Sequence, residues 1–275
     1  MSWKTLCQMD LRGKRVLTRV DLNVPMVDGK IADATRIEKI VPTINEIIKK
    51  GGTPILLAHM GRPKGERHQN LSLSQLQEEL ENYFKSKVIF AAECIGPSVK
   101  TALKIVKQGE IILLENTRFY SEEEENDPKF SASLAALADI FCNDAFSASH
   151  RAHASTTGLA KYLPSCAGRL MESELKALES VLGQPKRPVA TIVGGAKIST
   201  KIALLENLIE KVDSIIIGGA MANTFLFSKG FNIGQSLIEE SLKPTALKIL
   251  SKAEKYSCNI ILPTDLIVAT ELSKN

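Results

Sequence analysis

The sequence lacks most of the features that would place it at a glance. Its five cysteines, Cys7, Cys94, Cys142, Cys166 and Cys258, stand singly, with no C-x-x-C pair and an odd total, which reads as buried thiols in a reducing cytosol. Neither sign of charge dominates: 35 basic against 31 acidic residues leave +4, too small a surplus for a nucleic-acid surface or a polybasic membrane anchor. Apolar runs such as 111–114 and 215–217 fall far below the roughly 20 residues that span a bilayer. Residues 1–14 alternate polar and charged with apolar residues and hold no signal-peptide stretch. The expectation is a cytoplasmic protein with no nucleic-acid or membrane partner. The G-x-x-x-x-G-K-[ST] phosphate loop is also missing, and no G-x-G-x-x-G with a downstream acid points to an NAD-dependent oxidoreductase.

What is present is a rhythm of short β-rich apolar runs, at 16–20, 54–58, 88–91, 110–114, 140–142, 189–193, 214–217 and 259–262. Between them lie stretches with helical spacing, such as Ile37, Ile40, Val41, Ile44, Ile47 and Ile48, or Leu73, Leu76, Leu80 and Phe84. Alternation of this kind implies an α/β fold with parallel sheets covered on both faces. A break at 163–188, with Pro164 and Gly168 before a helical stretch at 171–182 and Pro185 and Pro188 after it, reads as an interdomain helix. The expected organisation is a first domain over 1–163, a helix and hinge over 164–188, and a second domain over 189–275 that looks incomplete. Its last strand candidate is 266–269, whereas a doubly wound nucleotide domain uses about six strands.

Ligands of open parallel sheets bind beyond the carboxyl ends of the strands, and here those segments are basic and polar. The first run delivers Arg19, Asp21 and Asn23 before Pro25, the second His59-Met60-Gly61-Arg62-Pro63, the fourth Glu115-Asn116-Thr117-Arg118, and the fifth Asn143-Asp144 and then His150-Arg151. Arg36 opens the first helix. Guanidinium groups bind carboxylate and phosphate through paired hydrogen bonds at every working pH, so the cluster suits a small phosphorylated acid. Each piece alone has a plainer reading: D-x-N-x-P makes a turn, and a lone surface arginine is commonly solvated. His150 and His153, at i and i+3, invite a metal reading if helical, but lack a companion carboxylate or cysteine at ligand spacing. The acidic run 122–125 reads as a solvated loop. In the second domain, Gly194-Gly195-Ala196-Lys197-Ile198-Ser199-Thr200-Lys201 follows a strand, placing Lys197 and Lys201 on one face of an expected first helical turn near any bound phosphate. Gly218-Gly219 follows the next strand, as a wall for an adenine ring or as tight packing.

The run Arg15-Val16-Leu17-Thr18-Arg19-Val20-Asp21-Leu22-Asn23-Val24-Pro25, with His59-Met60-Gly61-Arg62-Pro63, Leu114-Glu115-Asn116-Thr117-Arg118-Phe119, Asn143-Asp144-Ala145-Phe146, His150-Arg151-Ala152-His153 and Gly194-Gly195-Ala196-Lys197 in order, resembles the phosphoglycerate kinases. The resemblance covers about 11–269. It implies two doubly wound, Rossmann-like domains, the first binding 3-phosphoglycerate or 1,3-bisphosphoglycerate through Asp21, Asn23, Arg36, His59, Gly61, Arg62, Arg118 and Arg151. The second would bind ATP/ADP with Mg2+ through Lys197, Lys201, Gly194, Gly195, Gly218 and Gly219. Arg36 and Lys197 would meet at the transferring phosphoryl group on domain closure, and the protein would be a monomer. The family's glycine-rich G-G-D-T segment, whose Asp serves magnesium, has no counterpart here, so no metal ligand is expected within this chain. The alternative is a phosphoglycerate-binding module with little turnover.

Overall fold

The structure, a computed structural model, describes residues 3–27, 29–183 and 185–271. The chain divides into two compact units, Met1–Lys176 and Ala177–Asn275.

In the first unit the strands and helices alternate as β1 (Arg15–Arg19), a small antiparallel pair β2 (Met26–Val27) and β3 (Lys30–Ile31), α1 (Thr35–Lys49), β4 (Thr53–Leu57), α2 (Gln77–Phe84), β5 (Val88–Ala91), α3 (Pro97–Ile105), β6 (Ile111–Leu114), α4 (Ser121–Glu124), α5 (Pro128–Ala135), β7 (Ile140–Asn143) and β8 (Ser165–Ala167), and α6 (Arg169–Leu182) carries the chain across the boundary at Lys176. Six strands form one sheet in the order β5-β6-β4-β1-β7-β8, every pairing parallel. The order reverses at β1, so the segments after β1, β4 and β7 share one crevice.

The near-continuous apolar strands follow from burial on both sheet faces. Successive side chains of a strand point to opposite faces, and two separate cores result. Val16, Leu56, Ile111 and Leu113 join Ile37, Ile40, Ile44 and Ile47 of α1 and Leu80 and Phe84 of α2 on one face. Leu17, Ile55, Leu57, Ile112 and Leu114 join Val99 and Ala102 of α3 and Phe130 and Leu134 of α5 on the other. Each fully buried Ile of α1 is worth about 1.5–3 kcal/mol relative to exposure.

The second unit carries β9 (Ala190–Gly194), α7 (Ile202–Leu208), β10 (Ser214–Gly218), α8 (Ala220–Ser228), α9 (Lys243–Lys255) and β11 (Asn259–Ile261), its parallel sheet ordered β11-β10-β9. Val193, Ile215, Ile217, Phe225 and Ile249 fill its core. In β9 only Val193 is buried, while Ile192 is 76% exposed.

Three expectations change. Residues 165–167, placed in the connecting helix region, form β8 and extend the first sheet beside β7. Residues 266–269 form no strand: β11 pairs only with β10 among the described residues, and Ile267 and Val268 find no ladder and stay exposed. Cys7 is exposed, its thiol against Arg169, whereas the other four cysteines are buried, and all five are free. No helix among the described residues is long and apolar enough to cross a membrane.

Candidate active site

The polar segments after β1, β4 and β6 are tied together by their own side chains. Asp21 Oδ1 accepts from the Asn23 N–H at 3.0 Å, which is the turn expected of D-x-N-x-P, but its Oδ2 also accepts from Arg36 Nη1 at 2.5 Å and Ser147 Oγ at 2.6 Å. Burial pushes the Asp21 carboxyl up, and the hydrogen bonds from Ser147, Arg36 and the Asn23 N–H outweigh it, leaving the group below its ordinary value. Asn23 Oδ1 accepts from the Gly61 N–H at 2.9 Å, and the Gly61 carbonyl accepts from Arg118 Nη1 at 3.0 Å. Gly61 has φ +63°, a conformation that favours glycine, and a Cβ there would lie 2.8 Å from Leu71 Cδ2 and force that side chain to move. Asn116 braces the same loop, donating to the carbonyls of Met60 (2.8 Å) and Leu71 (2.9 Å) while accepting from the Arg118 N–H.

These segments enclose a cavity of about 260 Å³. Asp21, Asn23, Arg36, His59, Gly61, Arg62, Arg118 and Arg151 all line it, so every residue expected at the acid site comes to one place. Ser147, Ala148, His150 and His153 line it as well. Four guanidinium groups against one carboxylate give the cavity lining an excess of positive charge, which suits an anion. Arg118 is buried, and its Nε makes no hydrogen bond; Glu124 lies 3.4 Å away but is not aligned to accept one. Burial lowers the Arg118 pKa, against the pull of Glu124. Burial, followed by the charges of Arg19 and Arg118, pushes His59 down to about 3, so its ring is neutral at pH 7.

One sequence reading fails here, and three further residues find their places. The acidic run is not a solvated loop: residues 121–124 form α4, and Glu123 is fully buried, accepting from the Ser155 N–H at 2.9 Å and from its hydroxyl. Its partner lies 32 residues away, which no local pattern reveals. His150 and His153 do not share a helical face, because the turn at 149–150 passes through a bend at Arg151 into irregular chain at 152–153; His150 Nε2 accepts from Arg151 Nε, and His153 Nδ1 stands 3.8 Å from Glu123. Asp144 is buried away from the cavity at the start of α6, accepting from the Met171 N–H at 3.0 Å. Ser147 carries no signal in the sequence, because a serine in a loop gains a role only through the Asp21 carboxylate that faces it.

In the second unit, Gly194 and Gly218 are register partners at the ends of β9 and β10, and Gly195 accepts from the Met221 N–H at 2.9 Å. Gly219, with φ +68°, would place a Cβ 2.9 Å from the Gly195 carbonyl oxygen. Cβ atoms on Gly195 and Gly218 would meet nothing within 4 Å, so the four glycines present bare backbone around the two strand ends. Lys197 is exposed in an irregular loop, and Lys201 stands at the N-cap of α7, so the two do not share a helical turn as expected. Burial of Ile198 and the grip of Glu239 on the Ser199 N–H (3.0 Å) and hydroxyl (2.6 Å) hold residues 197–201 out of the helix. The described residues contain no cluster of three or more His, Cys, Asp or Glu able to hold a metal ion.

Comparison with known proteins bears on the family. Residues 6–275 match the family described as "Phosphoglycerate kinase". A phosphoglycerate kinase of Ruegeria pomeroyi (strain ATCC 700808 / DSM 15171 / DSS-3) is 58% identical over 275 residues, which is 100% of this chain and 69% of that protein. Among solved structures, phosphoglycerate kinase from Coxiella burnetii is similar with a TM-score of 0.86 and 41% identity over 100% of this chain and 69% of its own. That from Pyrococcus horikoshii OT3 is similar with a TM-score of 0.78 and 30% identity, covering 94% of this chain and 67% of its own. With its doubly wound parallel sheets and the arginine cavity at the reversal point of the first, the chain belongs to the phosphoglycerate kinase family.

Proposed function

We propose that the arginine cavity binds 3-phosphoglycerate or 1,3-bisphosphoglycerate, and that the chain takes part in reversible transfer of a phosphoryl group between 1,3-bisphosphoglycerate and ADP. The observation that carries this reading is the gathering of Arg36, Arg62, Arg118 and Arg151 around one cavity with His59 and a single carboxylate, Asp21. The substrate bears a carboxyl and a phosphate, and guanidinium pairs match both.

In the reaction, the acyl phosphate P–O bond of 1,3-bisphosphoglycerate breaks as a β-phosphate oxygen of ADP takes the phosphoryl group, releasing 3-phosphoglycerate and ATP. Such transfer has a loose transition state, so positioning and charge neutralisation suffice and no protein nucleophile is needed. Arg36, already held by Asp21, would orient the acid. Lys197, exposed, would neutralise the phosphoryl group, with Lys201 and the glycines at 194, 195, 218 and 219 holding the nucleotide. Magnesium ordinarily reaches such sites on the nucleotide phosphates with one or two carboxylates. The described residues hold no group of three or more metal-ligating side chains, and the metal would come with the nucleotide phosphates.

A coupled turnover assay with Lys197→Ala tests the assignment. The expected result is a fall in kcat with little change in KM, because the interaction is made in the transition state; a rise in KM alone would make Lys197 an ordinary binding residue.

A further inference from the structure

Beneath the cavity lies a chain of buried polar groups whose donor and acceptor roles are fixed from its two ends. Arg19, at the carboxyl end of β1, is 1% exposed. Its Nε donates to Ser155 Oγ at 2.9 Å, Nη1 donates to the Val20 carbonyl at 2.6 Å, and Nη2 lies 3.0 Å from His59 Nδ1. On the far side, Ser155 Oγ hydrogen-bonds to Glu123, whose other oxygen takes the Ser155 N–H. Guanidinium nitrogens only donate, and an ionised carboxylate only accepts. The Ser155 hydroxyl therefore accepts from Arg19 and gives its proton to Glu123. By the same logic, His59 Nδ1 must carry a lone pair toward Arg19, which leaves the ring proton on Nε2. His59 lines the cavity, and Nε2 is its remaining polar atom.

We propose that Arg19 is a positioning residue that locks His59 as the neutral, Nε2-protonated tautomer, so that the cavity presents a fixed uncharged N–H donor to an oxygen of its anionic ligand. The surroundings of the ring agree: burial, then Arg19 on β1, Arg118 after β6 and His153 before Ser155 oppose a charged ring, while Asp21 favours one. A hydrogen bond from one ring nitrogen commonly decides the state of the other. A neutral donor orients an oxyanion without adding a fifth cation to a cavity that already holds four arginines. The ligand part of this inference rests on the phosphoglycerate reading; the tautomer part does not.

The test is long-range 1H–15N correlation NMR on the uniformly 15N-labelled chain, whose four histidines are assigned by His59→Gln and by the shifts caused by His153→Gln. The expected spectrum shows His59 with its proton on Nε2 and unchanged from pH 5 to pH 8. An Nδ1-protonated ring, an imidazolium at pH 7, or a titration near the ordinary histidine value of about 6.5 overturns the proposal from the wild-type spectrum alone. Arg19→Lys, which keeps a donor and the charge, should retain the tautomer, and Arg19→Met should release it to a mixture that titrates. A mixed tautomer in neither variant would reduce Arg19 to packing. Titration with 3-phosphoglycerate then separates the two parts. His59→Gln, which keeps an N–H near the Nε2 position, should bind within a few-fold of wild type, and His59→Asn, whose amide stops short, should bind about tenfold more weakly. The expected tautomer with no binding by any form would sink the phosphoglycerate reading and leave the Arg19 lock standing; equal binding by both variants would remove the Nε2–H from recognition.

Discussion

Replacing Glu123 by Gln is the most informative single change in the first unit, because it preserves shape and removes one charge. Glu123 is fully buried, and its two oxygens accept the Ser155 N–H and hydroxyl, through which the carboxylate balances the equally buried Arg19. A glutamine can keep an oxygen toward the N–H, but its NH2 then faces Ser155 Oγ, which already accepts from Arg19. The serine proton is left with no acceptor, and Arg19 loses the Glu123 charge, with Asp21 remaining. Removing one partner of a buried charge pair costs about 3–5 kcal/mol. For a folding unit of this size each kcal/mol lowers Tm by roughly 2–4 °C, so Glu123→Gln should melt about 6–20 °C below wild type. The assay is thermal and urea unfolding followed by circular dichroism, with Glu122→Gln as control. Glu122 lies on the exposed side of α4, where substitutions usually stay within about 0.5 kcal/mol. Equal stability of the two variants would refute the buried-pair reasoning.

Other expectations test separate parts of the fold. A Cβ on Gly168 would fall on the Asp144 carboxylate at the start of α6, so Gly168→Ala should lower the urea midpoint by an amount equivalent to about 1–3 kcal/mol, and no change would mean the carboxylate can swing aside. Gly219→Ala combines φ +68° with a 2.9 Å approach to the Gly195 carbonyl oxygen; it should destabilise the second unit by at least about 1–2 kcal/mol and weaken ADP binding, both measurable by urea titration and calorimetry. His59 supplies a pH dependence: its folded value of about 3 lies below the unfolded value of 6.5. The unfolded chain therefore binds the extra proton in this window, and the contribution of the neutral ring is fully present above pH 6.5 and lost as pH falls toward 3. The slope is about 1.4 kcal/mol per pH unit. His59→Gln should flatten the stability profile between pH 4 and pH 6, and an unaltered slope would show that the ring is not held neutral.

The strands of the first sheet were readable because β1, β4 and β6 bury both faces, and continuous apolar runs bounded by polar segments leave few other outcomes. The cavity is legible for a related reason: parallel strands aim their following segments at one edge, which brings together residues as far apart in the chain as Asp21 and Arg151. What escaped was decided by partners distant in sequence. Glu123 looked like one of four solvated acids, and only the approach of Ser155 and Arg19 explains its burial. Ser165–Ala167 is too short and polar to announce a strand, and it becomes β8 because β7 offers a free edge. The 197–201 segment carried a glycine-then-helix pattern, yet Glu239, some 40 residues on, holds it in a loop. Residues 266–269 failed in the opposite sense, having strand-like composition but no neighbouring ladder among the described residues.

The most direct test of the central claim is titration calorimetry of this 275-residue chain with 3-phosphoglycerate, followed by MgADP and a coupled turnover assay. The expected result is saturable binding of the acid that Arg36→Ala weakens by about 1.5–3 kcal/mol, more than tenfold in Kd. Acid binding without turnover would assign the chain the role of a phosphoglycerate-binding module. No binding of the acid by a sample shown to be folded would contradict the assignment of the arginine cavity.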